Sequence, residues 1–375
     1  MRFELPKNYS TYIPAIDNDM SLHSWSRIQH EGYDMKWFTE KSFFQYPYAL
    51  VSAYYNIDIK DYRLHHDYKG LLIADSGGFQ LLTYAMKNKP VSFSPLQSLR
   101  WMEANADIGM NLDYPIWNNF EYSLTNSIEN FKIFEQSRKN YDFLLYNVLH
   151  GRTLSELTTW YDLVKDFAFD GWAIGIRPST NIYLQTMGYL TLHEKGASNL
   201  LDHCHFFGVS GQKNMICLAL IARHFKTALT FDSSSYDIGH KIRGYYLPGN
   251  IRNVLHFGRD KTRLITKVPC HCPVCSHMTA DMLYDNYPLT PSMLCLHNLY
   301  QTIEVNKLIN TLADDPELLI VYAKSVGEEN LATNMQAILN KYDSHGLDKT
   351  YESFSHLCKL PKQINTCETN LHSWM

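Results

Sequence analysis

The chain has no excess of positive charge: 34 Lys and Arg face 38 Asp and Glu across 375 residues, a net of −4. A protein that holds a polynucleotide by bulk charge has the opposite balance, so any such contact here needs a local basic face. The first twenty residues contain no apolar core flanked by basic residues, and no secretory leader is expected. No apolar run approaches the roughly 20 residues of a membrane span. No membrane partner is therefore expected, and a cytoplasmic setting is (a host cytoplasm if the chain is viral). Internal repeats, low-complexity tracts and a G-x-G-x-x-G loop are all missing. The last absence argues against an open, doubly wound dinucleotide fold.

What is present is a rhythm. Short apolar runs end in Gly, Asp or His: Gly70 to Asp75, Ala106 to Asp113, Phe143 to His150, Gly171 to Gly175, His205 to Val209 and Ala228 to Asp232. Most read as a buried strand with a polar residue or glycine at or near the C-terminal end. Helical patterns lie between them, over Ser123 to Tyr141, Ser155 to Phe169 and Asn214 to His224. Strands alternating with helices imply a parallel sheet. Six such strand ends in one domain favour a closed (β/α)8 TIM barrel, whose polar strand ends converge on one mouth. The rhythm breaks from about Ser233 to Thr290, which reads as an insertion near the end of the barrel. The expected organisation is one barrel domain over 1–360, with a zinc subdomain at about 265–300 and a tail over 361–375. What residues 1 to 70 contribute is left open.

Of eight cysteines, three crowd into Cys270, Cys272 and Cys275, at C-x-C-x-x-C spacing with Pro273 inside the knuckle. Such a cluster suggests metal and not disulfides. His297 follows at the start of a helical stretch, and His271 and His277 are nearer competitors. Three thiolates and one imidazole make a closed tetrahedral Zn2+ site with no position for water, so its role is structural.

Three aspartates sit at expected strand ends: Asp75 before Ser76-Gly77-Gly78-Phe79-Gln80, Asp113 before Tyr114-Pro115, and Asp232 before three serines. Singly, each could be a helix cap or turn residue. In this order, and followed by the cysteine knuckle, they resemble the tRNA-guanine transglycosylase family over about Leu71 to Asn306. The nucleophile and zinc segments are most similar to its archaeal branch and to the smaller 7-deazaguanine DNA transglycosylases. The resemblance implies roles. Asp232 attacks C1′ of the nucleoside and forms a covalent glycosyl-enzyme, and Asp75 handles the proton moving to or from the purine. Asp113 bonds the amino and ring NH edge, while Phe79 and Phe207 stack on the base. A carboxylate suits attack at an oxocarbenium-like carbon, and two displacements retain configuration. The resemblance also implies a homodimer.

Some residues depart from the family. His150 stands where a Gln that bonds the purine carbonyl is usual, and Gly175-Ile176 replaces a Gly-Gly pair that shapes the pocket near the 7-substituent. After Asp232 the bacterial Pro-Thr-Arg segment is absent. The chain's length, its distinctive first 70 residues and these changes lean towards DNA as the nucleic acid, with tRNA as the alternative. The incoming base is expected to be 7-cyano-7-deazaguanine. A duplex target would have to be flipped from the stack. Lys241, Arg243, Arg252, Arg259, Lys261 and Arg263 are candidate phosphate contacts or a solvated loop. A non-catalytic partner subunit and an unrelated barrel hydrolase that releases base without replacing it are the rival readings.

Overall fold

The computed structural model describes residues 4–16, 29–86, 93–116, 119–175, 181–197, 201–237, 244–257, 266–284 and 290–360. Eight parallel strands form a closed barrel. In chain order they are β1 (Tyr9–Ile16), β2 (Tyr48–Ser52), β3 (Leu71–Asp75), β4 (Ile108–Met110), β5 (Leu144–Leu149), β6 (Gly171–Ile174), β7 (His203–Phe206) and β8 (Ala228–Ser233). β1 closes the ring by pairing with β8, Ile13 opposite Asp232, and with β2, Ala15 opposite Leu50. The expected TIM-barrel class is thus the observed one.

The six strands read from the sequence are all present, and the two it missed are β1 and β2, inside the first 70 residues. Their patterns explain the miss. β1 carries Ser10, Thr11 and Pro14 among its apolar residues, and proline is rare inside a paired strand.

Alternation along each strand divides the core in two. Ile13, Leu50, Ile73, Ile108, Met110, Val148 and Ala173 pack together in one cluster. Leu72, Ala74, Leu145, Trp172, Ile174 and Phe206 belong to a second and larger one, shared with the helices. Those helices include α1 (Gly78–Met86), α2 (Pro95–Asn105), α3 (Phe120–Ser137), α4 (Leu154–Val164), α5 (Ile182–Glu194) and α6 (Gln212–Phe225). Their starts are chemically marked. Ser94 and Gln97 form a reciprocal capping box before Pro95, and Asn119, Thr153 and Asn181 cap α3, α4 and α5.

After β8 the chain makes an antiparallel hairpin of β9 (Gly244–Leu247) and β10 (Asn250–His256) before α7 (Thr290–Leu312). α7 completes the barrel wall: Asn310 accepts from Ser10 N at 2.8 Å, and Asn306 donates to Ser10 O at 2.8 Å. Two more helices, α8 (Pro316–Ser325) and α9 (Glu329–Phe354), pack outside α6. The expected tail at 361–375 lies outside the described residues. None of the described helices is long and apolar enough to cross a membrane.

Candidate active site and metal centre

Parallel pairing puts the C-terminal ends of all eight strands at one mouth, so residues far apart in sequence meet there. Asp75 ends β3 and Asp232 lies in β8, while His150, Gly175 and Phe207 follow β5, β6 and β7 directly and Asp113 lies three residues past the end of β4. Asp232 and Asp113 are buried; Asp75, Phe79 and Phe207 are half-buried.

Two glycines shape the β3–α1 corner. Gly77 has φ +96°, and a Cβ there would lie 2.6 Å from Tyr54 Cβ. A Cβ on Gly78 would lie 1.9 Å from the Asp113 carbonyl oxygen, so only glycine lets the start of α1 approach Asp113. Ser76 Oγ ties the same corner to the Asn111 carbonyl at 3.1 Å.

The Asp232 carboxylate is held on one side. Gly208, at φ +62°, turns its N–H onto Asp232 Oδ1 at 2.7 Å. His205 Nε2 lies 3.4 Å from the same oxygen. The other oxygen, Oδ2, makes no hydrogen bond or ion pair among the described residues.

His150, expected to take the place of a Gln that bonds a purine carbonyl, faces Asp113. Its Nε2 is 2.6 Å from Asp113 Oδ2, and its ring meets Trp160 edge-on at 4.9 Å. Nδ1 is buried without a partner. An N–H left there would cost more than a bare lone pair, so Nε2 carries the hydrogen and donates it to Asp113. Gly175, expected to shape the space beside the 7-substituent, makes room for this imidazole: a Cβ at Gly175 would lie 2.7 Å from His150 Cε1. Ile176 lies outside the described residues, as do Lys241, Arg243, Arg259, Lys261 and Arg263. Arg252 is no loose phosphate ligand. Its Nη1 is 2.5 Å from Glu328 Oε1 and donates to the carbonyls of Val326 and Gly327.

The sequence reading missed the polar residues beneath the mouth. Tyr146, His203, Thr230 and His205 join through hydrogen bonds inside the barrel. The signal was the His-x-His spacing of 203 and 205, in phase with Phe207 on one face of β7.

A recess of about 510 Å³ lies at the opposite end, lined by Arg63, Glu103, Asp107 and Leu144. Its polar groups are spent on structure. Arg63 pairs with Asp107 at 2.5 Å and donates to Gly70 O and Asn105 O. This is the stability face of a barrel and not its catalytic mouth.

Cys270, Cys272, Cys275 and His297 are all buried, with their ligand atoms within 4.8 Å of one another. His297 Nε2 bonds the Tyr246 carbonyl at 2.8 Å, which fixes its hydrogen there and leaves Nδ1 as a lone pair. That nitrogen faces Cys275 Sγ at 3.1 Å and Cys272 Sγ at 3.4 Å. Backbone N–H groups of Cys272 and Cys275 point at the sulfurs of Cys270 and Cys272. Tyr245 stacks on His297 at 3.9 Å. The set fits a thiolate-binding metal with an oriented imidazole. His271 is exposed and His277 bonds Glu31, so neither competes for the fourth position.

No protein-family model matches the chain. Curated proteins do. It is 25% identical over 289 residues to the tRNA-guanine(15) transglycosylase of Methanococcus maripaludis strain C7, covering 74% of this chain and 42% of that protein. To the protein of the same name from Methanosarcina mazei it is 28% identical over 265 residues, 67% of this chain and 49% of that one. The chain thus spans under half the length of these relatives. Over about 70% of its length the chain is thus similar to proteins named tRNA-guanine(15) transglycosylase, and it combines that similarity with a closed barrel and a Cys3His cluster.

Proposed function

We propose that the chain exchanges guanine in tRNA for a 7-deazaguanine, 7-cyano-7-deazaguanine being the incoming base suggested by resemblance. The observation that carries the reading is Asp232. A buried carboxylate at a barrel mouth, anchored among the described residues through Oδ1 alone, keeps Oδ2 available to attack. Oδ2 bonds to C1′ as the glycosidic bond breaks, and guanine leaves with a proton supplied by Asp75. The incoming base then gives its N9 proton to Asp75 and displaces Asp232 from C1′. Two inversions retain configuration. Asp113 reads the purine edge, steadied by His150, and Phe79 and Phe207 supply the stacking faces. The cysteine cluster binds Zn2+ in a structural role, with no open position for chemistry.

The lean towards DNA finds no support in the relatives, which are named for tRNA. Homodimerisation stays part of the proposal by resemblance alone. The test is loss of radiolabelled guanine from tRNA and from duplex DNA side by side, with 7-cyano-7-deazaguanine as the acceptor and Asp232→Ala as the control. Exchange into tRNA that vanishes in Asp232→Ala is the expected result. Exchange into DNA alone would overturn the tRNA assignment. Release of guanine without uptake would return the protein to the hydrolases.

A further inference from the structure

A chain of buried groups runs up the barrel axis to the proposed nucleophile. Tyr146 Oη is 2.7 Å from His203 Nδ1, His203 Nε2 is 2.7 Å from Thr230 Oγ1, and Thr230 Oγ1 is 2.9 Å from His205 Nδ1. His205 Nε2 then lies 3.4 Å from Asp232 Oδ1 and makes no hydrogen bond elsewhere among the described residues. Thr230 and His205 are fully buried, and Tyr146 and His203 nearly so.

Counting hydrogens fixes the direction of this chain. An ionised Asp232 only accepts, so His205 carries its hydrogen on Nε2 and accepts at Nδ1. Thr230 must donate to that Nδ1, and its oxygen then accepts from His203 Nε2–H. His203 accepts at Nδ1 from the Tyr146 hydroxyl. His203, Thr230 and His205 each give one hydrogen and take one, Tyr146 gives the first, and all dipoles point at the carboxylate. Burial, with a contribution from His205, lowers His203 to about 3 and keeps it neutral. Burial also pushes Tyr146 well up, so the phenol keeps its hydrogen to donate.

We infer that His205 is a positioning residue for Asp232, held in its Nε2–H form by the Tyr146–His203–Thr230 relay so that it steadies the carboxylate when it leaves C1′. The inference rests on the reading of Asp232 as the nucleophile. The electrostatics set its consequence. A donor on Oδ1 favours a carboxylate over the ester that exists while the sugar is attached. It therefore assists the second displacement more than the first. The 3.4 Å contact shortens as negative charge returns to the oxygen.

The test has two arms. In the first, adduct and turnover are followed together with tRNA and base. His205→Phe is expected to lower turnover about tenfold, because Gly208 N–H remains and a lost oriented donor otherwise costs ~10²-fold or more. The fraction of enzyme trapped as covalent adduct on a denaturing gel rises at the same time. His205→Gln, which keeps an N–H near the Nε2 position, recovers most of the rate. Turnover and adduct falling together, or neither changing, would overturn the inference. An adduct that survives Asp232→Ala would instead sink the nucleophile reading and the leaving-group role with it. The second arm is independent of activity: ¹⁵N NMR of the histidine rings, assigned with His203→Gln and His205→Gln. Both rings are expected as Nε2–H tautomers at neutral pH, with His205 losing its fixed tautomer in Thr230→Val. A doubly protonated or Nδ1–H His205 would overturn the relay.

Discussion

Gly175→Ala should damage the protein through one identifiable collision. The new Cβ would lie 2.7 Å from His150 Cε1, 2.9 Å from Val148 Cγ1 and 3.1 Å from His150 Nε2. His150 has nowhere to retreat: it is 1% exposed, braced by Trp160 and bonded to Asp113 at 2.6 Å. Overpacking of this kind costs about 1–3 kcal/mol. If the imidazole is pushed off Asp113, a hydrogen bond to a charged group worth about 1.5–3 kcal/mol is weakened as well. The expected loss in urea unfolding is therefore about 2–4 kcal/mol. The cause can be isolated with a double-mutant cycle. In a His150→Ala background most of the obstacle is gone, and Gly175→Ala should cost at least about 1 kcal/mol less, the coupling expected of residues in contact. Equal costs in the two backgrounds would refute the collision with His150 and leave Val148 or the backbone as the cause. On the proposed reading, the single variant should also raise KM for the base, because the carboxylate of Asp113 loses its brace.

Three other perturbations follow from the same geometry. On the proposed zinc reading, Cys272→Ser should lower metal content measured by mass spectrometry and the melting temperature together, since the cluster joins the knuckle to α7 and His297 bonds Tyr246 of β9; a metal-free wild-type protein of unchanged melting temperature would oppose a structural site. Gly78→Ala should be worse than Gly175→Ala, because its Cβ would lie 1.9 Å from the backbone oxygen of Asp113 and not against a side chain, so soluble protein with wild-type unfolding would be unexpected. The pH dependence of stability should carry the signature of His203, whose folded value of about 3 lies below the ordinary value of about 6.5. Between those values the unfolded chain takes up a proton that the folded chain refuses. Stability from this group is thus complete above the unfolded value and falls as pH drops, by about 1.4 kcal/mol per pH unit. His203→Gln should flatten the wild-type slope by that amount between pH 6 and about 4; parallel slopes would mean that His203 is not buried neutral.

The sequence alone determined the barrel class, the three-cysteine knuckle and the order of the three aspartates; the fold chose His297 over His271 and His277 to complete the cluster. Each of the first three depends on local pattern. A buried parallel strand must be apolar, its polar end must fall at the mouth, and a C-x-C-x-x-C knuckle folds on its own scale. Tertiary structure decided what those residues touch. β1 was illegible because Pro14, Ser10 and Thr11 interrupt an apolar run, and only closure of the ring against β8 and α7 gives it a place; β2 finds its place between β1 and β3. Sequence order could not say that Asp113, 37 residues before His150, lies within 2.6 Å of it. Arg252 read as a candidate phosphate contact or part of a solvated loop, and the fold sets Glu328, the residue before α9, beside it. The relay under Asp232 was invisible for the same reason. Its members come from β5, β7 and β8, which pairing alone brings together, and the hydrogen each one carries is set by its neighbours across the barrel and by nothing along the chain.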